Sequence, residues 1–166
     1  MTIAEEAAPP VHRFPNPLSR RFFQICTAAT AAVVEPAGLT PLEFAVMAYV
    51  NSKIGEPDID QTSLAARLGI DRNNTSLLVS SLEANGLLER RVSGTDRRVR
   101  LVRLTGKGEK LFAQLEPKAL AGQNQLLDVL ADDEREQFLD MLVRVIEANR
   151  ALARPGAGRR KRNGSS

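Results

Sequence analysis

Asn73, Asn74, Ser76 and Ser80 bring short hydrogen-bonding side chains close together, with Leu77 among them and Arg72 in front. At about 100° per residue, Asn73, Ser76, Leu77 and Ser80 fall on the helix side opposite Thr75, Leu78, Val79 and Leu82, with Arg72 and Asn74 at its edges. A solvent face of this kind, with no long charged side chains to keep it soluble, suits hydrogen bonding to base edges in a DNA major groove. Downstream, six arginines lie between Arg90 and Arg103 against one acid, Asp96. Arg97 and Arg98 follow that acid directly, at the turn Ser93-Gly94-Thr95-Asp96. The planar arginine fork binds phosphate bidentately and fits a narrow minor groove. A solvated edge hairpin, charged to block aggregation, has a similar composition. Its place directly after a base-reading helix favours nucleic acid.

These side chains need elements to hold them. Leu64 and Leu68, one turn apart, give a first short helix its apolar stripe. Gly69-Ile70-Asp71 breaks that helix, and Asp71 is placed to cap the next. Leu87–Val92 and Arg97–Leu104 then read as the two strands of a hairpin. The sequence therefore predicts a mainly α fold with a small β-hairpin: a winged helix-turn-helix over residues 40–105 within a single domain, 18–151. Thr40-Pro41-Leu42-Glu43 opens the preceding helix, with Thr40 as cap, Pro41 at the first helical position and Glu43 completing a capping box. Phe44, Met47, Ala48 and Ile54 give that helix a core face, and 51–58 reads as a loop. A first helix spans 18–34, apolar through Phe22, Ile25, Ala29 and Val33. Residues 106–151 form further helices, the first starting after Thr105 and reaching about Leu130 with a kink at Pro117. The last starts at Asp132 or Asp133 and carries the stripe Phe138, Met141, Leu142, Val145 and Ile146. These terminal helices hold more apolar surface than so small a unit can cover, which points to a second subunit. Residues 1–17 read as an extended tail, because Ala8-Pro9-Pro10 and Pro15-Asn16-Pro17 oppose helix. Residues 152–166 read as a disordered basic tail.

Other chemistries find little support. One cysteine excludes an intrachain disulfide framework, and 4% aromatic residues without tryptophan argue against a stacking platform for single strands. His12 is the only histidine, and the carboxylates show no ligand spacing, so no metal or cofactor is expected. Asp132-Asp133-Glu134 suits a helix N-terminus. Gly106-Lys107-Gly108 lacks the full phosphate-loop pattern. No nucleophile–base or acid–base pair marks an enzyme. No signal peptide or apolar run of membrane length is visible, so the cytoplasm is expected. The net charge of +3 is misleading as a whole, because the five basic residues from Arg154 to Arg162 outweigh it. The rest of the chain is slightly acidic, and its positive charge is concentrated between Arg90 and Arg103.

The run from Leu68 to Arg91, above all Asn85-Gly-Leu-Leu-Glu-Arg90, resembles the MarR family of bacterial transcriptional regulators. So do Asp96-Arg97-Arg98 and Leu104-Thr-Gly-Lys-Gly108, and the resemblance spans about residues 18–150. It implies a homodimer, paired through N- and C-terminal helices, on a pseudo-palindromic double-stranded operator. Repression is the family's commoner mode. Arg98 matches the wing arginine that enters the minor groove, and Asp96 the acid that orients the tip. Arg72, Asn73, Asn74, Ser76, Leu77, Ser80, Arg90, Asp96, Arg97 and Arg98 are the expected DNA-binding residues. Leu77 departs from the family, which often has a polar or basic residue there; a thymine methyl could meet it. The resemblance also implies a small aromatic or lipophilic acid bound in a cleft between dimer helices and winged helix, and Arg20-Arg21-Phe22-Phe23-Gln24 is similar to the first-helix pattern of members that respond to aromatic carboxylates or their thioesters. Arg20, Arg21, Phe22 and Gln24 are the expected effector site, with a guanidinium and an amide beside an apolar wall. Surface ion pairs, phosphate contacts and packing account for the same residues. Cys26 lies about two turns into the first helix and reads as a buried, inert thiol. The alternative function is a winged-helix DNA-binding protein with no effector, constitutive or architectural.

Overall fold

The computed structural model describes residues 13–51, 59–94 and 99–152. It is a mostly helical winged helix. The elements are α1 (Pro15–Val34), α2 (Pro41–Asn51), β1 (Ile59–Asp60), α3 (Gln61–Leu68), α4 (Arg72–Ala84), β2 (Leu88–Val92), β3 (Arg100–Leu104), α5 (Gly106–Gln125) and α6 (Asp132–Ala148). No single helix among the described residues is long and apolar enough to cross a membrane.

Local chemistry sets most boundaries. Thr40 and Glu43 form the capping box of α2, with Thr40 N–H donating to Glu43 Oε2 at 2.9 Å and Glu43 N–H to Thr40 Oγ1 at 3.2 Å. Asp60 caps α3 by accepting from Thr62 and Ser63 N–H, and Asp71 caps α4 by accepting from Asn74 N–H. Gly69 ends α3 at φ 67°, a left-handed turn that favours glycine.

Four features depart from the sequence reading. Helix α1 begins at Pro15, not Leu18. Prolines are tolerated in a first turn, because the N–H they lack has no intrahelical acceptor there. The hairpin is part of a three-stranded antiparallel sheet in the order β1-β3-β2, with Ile59 opposite Val102. Asn51 closes α2 and does not open a loop. Helix α5, with Pro117 exposed inside it, ends at Gln125 and not near Leu130, and a turn precedes α6. Ile54 and the wing tip (residues 95–98) lie outside the described residues.

The core sits between α2, α3, α4, α5 and the inner face of the sheet. It contains Phe44, Val46, Met47, Leu64, Val79, Leu82, Leu87, Leu88, Val102, Leu104, Phe112 and Leu115. Helix α1 joins through Val34 and through Thr30, whose Oγ1 accepts from Gln123 Nε2 at 2.9 Å. That face is turned one residue from the expected stripe, so Ile25 is exposed. Helix α6 buries none of its residues, and its one ring contact among the described residues is Phe138 edge-on to Phe22 at 5.5 Å.

Candidate nucleic-acid interface and adjoining cleft

Helix α4 is seated by its apolar side. Thr75, Val79 and Leu82 are fully buried, and Leu78 is partly so. Burying them turns Arg72, Asn73, Asn74, Ser76, Leu77 and Ser80 outward, and all six are exposed. Leu77 is 69% exposed, an apolar side chain amid polar ones. A further tie fixes the depth of α4. Ser81 Oγ donates to Glu43 Oε1 at 2.7 Å, joining α4 to the cap of α2. Burial pushes the Glu43 carboxyl up, but hydrogen bonds from Thr40 N–H and from the Ser81 and Thr40 hydroxyls outweigh it and hold the carboxyl below its ordinary value.

Not all of the outward side chains are free. Arg72 Nη2 donates to Thr62 Oγ1 at 2.6 Å, tying α4 to α3. Asn74 Nδ2 donates to Asp71 Oδ2 at 2.9 Å. Arg90, expected to face DNA, is instead turned onto α4. Alternation along β2 puts Leu88 and Arg90 on one face; Leu88 enters the core, and Arg90, one pleat further on, passes its edge. Its Nη1 meets Glu83 Oε2 at 2.5 Å, while Nη2 donates to Ser76 O at 3.1 Å and to Ser80 Oγ at 2.9 Å.

The wing is less positive than its arginine count suggests. Glu89 pairs with Arg91 at 3.0 Å and with Arg103, which faces it across the β2–β3 ladder. The hydrogen bond from Arg103, with the charges of Arg103 and Arg91, holds the Glu89 carboxyl below its ordinary value. Arg100 at the start of β3 is exposed. Asp96, Arg97 and Arg98 lie outside the described residues.

The wing and α5 meet at a junction the sequence had marked. Thr105 caps α5 by accepting from Gly108 N–H, and Thr105 N–H donates to Leu87 O. A Cβ on Gly108 would lie 2.1 Å from Leu87 O, so only glycine fits there.

Between α2, α3 and α5 lies a cleft of about 400 Å³. Phe44 and Phe112, stacked with ring centroids 5.3 Å apart, form its apolar wall. Ala45, Ala48 and Ala119 leave the space open, and Tyr49, Arg67, Glu116 and Gln123 give it polar edges. Sequence reasoning placed the effector at the start of the first helix and missed these lining residues. Their signal was Glu116 and Gln123 interrupting the stripe Phe112, Leu115, Ala119 on α5. Arg20, Arg21 and Gln24 are exposed on α1, Phe22 packs on Phe138, and none of the four lines the cleft. Cys26 is half-buried, and burial pushes its thiol up, which suits an unreactive role. No cluster of metal-ligating side chains occurs among the described residues.

Transcriptional regulators are among the proteins this chain is similar to. The sequence profile of the MarR family matches residues 37–99. The HTH-type transcriptional regulator MhqR of Bacillus subtilis (strain 168) is 33% identical over 108 residues, covering 65% of this chain and 72% of the relative. The PcaV transcriptional regulator of Streptomyces coelicolor, solved with its natural ligand, is 30% identical. It aligns over 86% of this chain and 98% of its own, with a TM-score of 0.70. The transcriptional repressor CouR, from Rhodococcus jostii RHA1, was solved on a 23-mer DNA duplex. It is 28% identical over 80% of this chain and 92% of its own, with a TM-score of 0.71. With its helix-turn-helix, its wing and these relatives, this chain belongs to the MarR family of transcriptional regulators, winged-helix DNA-binding proteins and not enzymes.

Proposed function

We propose that the chain is a homodimeric repressor of a pseudo-palindromic operator, released by a small aromatic acid or its thioester. Helix α4 of each subunit enters a major groove, with Asn73, Asn74, Ser76, Leu77 and Ser80 toward the bases. The wing tip, through Arg97 and Arg98 oriented by Asp96, reaches the flanking minor groove. Helices α1 and α6 pair the subunits. The observation that carries the effector reading is the cleft, because it lies between the helix-turn-helix and the long helix α5. A planar ring fits against Phe44 and Phe112, and its anionic group meets Arg67 in the last turn of α3. PcaV, solved with its natural ligand, supports such a role for this family of folds.

A ligand releases DNA only if it binds the form with mis-spaced recognition helices more tightly. A coupling of about 1–3 kcal/mol changes operator affinity roughly 5–150-fold. The test is operator release and thermal stabilisation across a panel of aromatic acids and acyl thioesters, on wild type and on Arg67→Ala, Arg20→Ala and Arg21→Ala. Arg67→Ala should lose the response and keep ligand-free DNA binding. Loss in Arg20→Ala or Arg21→Ala alone puts the anion site at the start of α1. Silence of the wild type across the panel favours the regulator without an effector.

A further inference from the structure

Three polar groups of α4, at Ser76, Ser80 and Glu83, lie along one stripe at the spacing i, i+4, i+7, and a single guanidinium holds all three. Arg90 Nη2 reaches both the Ser76 carbonyl and the Ser80 hydroxyl, and Nη1 reaches the Glu83 carboxylate. A guanidinium has donors only, so Ser80 Oγ must act as acceptor in its bond. The adjacent positive charge repels the hydroxyl proton, which points away from Arg90. Ser80 is exposed, so that proton is free to point outward. Asn74 has the opposite character. Its amide nitrogen is held by the Asp71 carboxylate, leaving the side-chain carbonyl outward as an acceptor. Leu77, between them, offers only apolar surface.

We propose that Arg90 is a positioning residue that sets base preference at second hand, by fixing Ser80 as a donor on the DNA-facing side of α4. This rests on the reading that α4 enters the major groove. A donor there selects acceptors: purine N7, guanine O6 or thymine O4. It disfavours the exocyclic amines of cytosine and adenine. On this reading Arg90 acts through Ser80 and not through a phosphate, because three of its five N–H groups are already held within the protein.

The distinction is open to test, because a phosphate contact and a positioning fork respond differently to lysine. Lysine keeps the charge but lacks the planar fork that reaches three acceptors. Selection from a randomised operator library, with salt-dependent affinities on the wild-type site, would be run on wild type, Arg90→Lys, Arg90→Ala and Ser80→Ala. Arg98→Ala serves as the phosphate-contact control. Arg90→Lys should lower the preference at one base pair per half-site by roughly two- to tenfold, with the salt slope unchanged. Ser80→Ala, an exposed substitution that leaves the core intact, should flatten the same base pair. The double variant should be no worse than either single one, because the two residues act in series. Arg98→Ala should lower the salt slope by about one unit with no change at that base pair. An unaltered preference in Arg90→Lys or Ser80→Ala overturns the proposal, as does a salt slope about one unit lower in Arg90→Ala. If the wild type selects no sequence at all, the groove-reading role of α4 fails, and this proposal with it.

Discussion

Helices α4 and α6 have the same amphipathic design and opposite fates. In α4 the apolar stripe is consumed inside the chain, with Thr75, Val79 and Leu82 at 0% exposure. In α6 Met141, Val145 and Ile146 are 54%, 63% and 60% exposed, and only Phe138 finds an aromatic neighbour. Phe23 and Ile25 on α1 are also exposed. Periodicity shows that a helix has an apolar face to cover. Burial within one chain shows whether the cover is already there. For α4 it is, and for α6 we assign it to a second copy.

That contrast is most exposed to failure at α6. Ile146→Asp would introduce a carboxylate into each half of the proposed two-fold interface, so the several kcal/mol cost of burying it would count twice. Sedimentation at micromolar concentration should change from dimer to monomer, and operator affinity should fall by at least about a hundredfold. A wild-type chain that sediments as a monomer ends the dimer reading outright. The matching change in α4, Leu82→Ala, leaves a cavity inside one protomer and should cost about 2–5 kcal/mol. Its melting temperature should fall by the same amount at every protein concentration, with the dimer retained. A concentration-dependent loss would mean that the α4 core is shared between subunits.

The smallest effect belongs to the Glu43 tie. Its carboxyl lies below the ordinary glutamate value of 4.5, so its stabilisation is complete above that pH and is lost as pH falls through the lower folded value. Glu43→Gln should cost about 1 kcal/mol near neutrality. It should also make the melting temperature less sensitive to acid below pH 4.5, with little change in subunit association. An acid limb as steep as that of the wild type would remove Glu43 from the account of pH dependence.

What the sequence made legible was local. Asp71, Thr40–Glu43 and Gly69 act within one turn of their own positions, so their types and spacing were enough to set α2, α3 and α4. The glycine of Leu104–Gly108 was visible as a motif, though not the carbonyl it packs against. Strand β1 was not legible, because two residues pair with a strand some forty positions away and carry no pattern of their own. The place of the cleft was hidden for a different reason. The cleft is bounded by what Ala45, Ala48 and Ala119 lack, and missing volume has no periodicity. Arg90 shows a third limit. Composition counted it among the free arginines of the wing, but the pleat of β2 turned it onto α4. At Arg20–Gln24 the residue types suited an anion site; Phe22 packs on Phe138, Arg20 and Arg21 are exposed, and the Arg20→Ala and Arg21→Ala variants decide that reading.

The contact of Gly108 with the Leu87 carbonyl has a mechanical consequence. Leu87 is the link between the end of α4 and the wing, and it meets α5 backbone to backbone, with no side chain between them to repack. Such a joint leaves little room to repack, so we expect α5 to move with the DNA-reading head as a lever arm. Its 20 residues make an arm about 30 Å long, and a tilt of about 10° swings the far end by about 5 Å. In the dimer proposed above, two heads that must match grooves about 34 Å apart would be tuned by small angles at the root of the arm. Alanine at position 108, by wedging the joint, would detune them without touching a single DNA-facing residue.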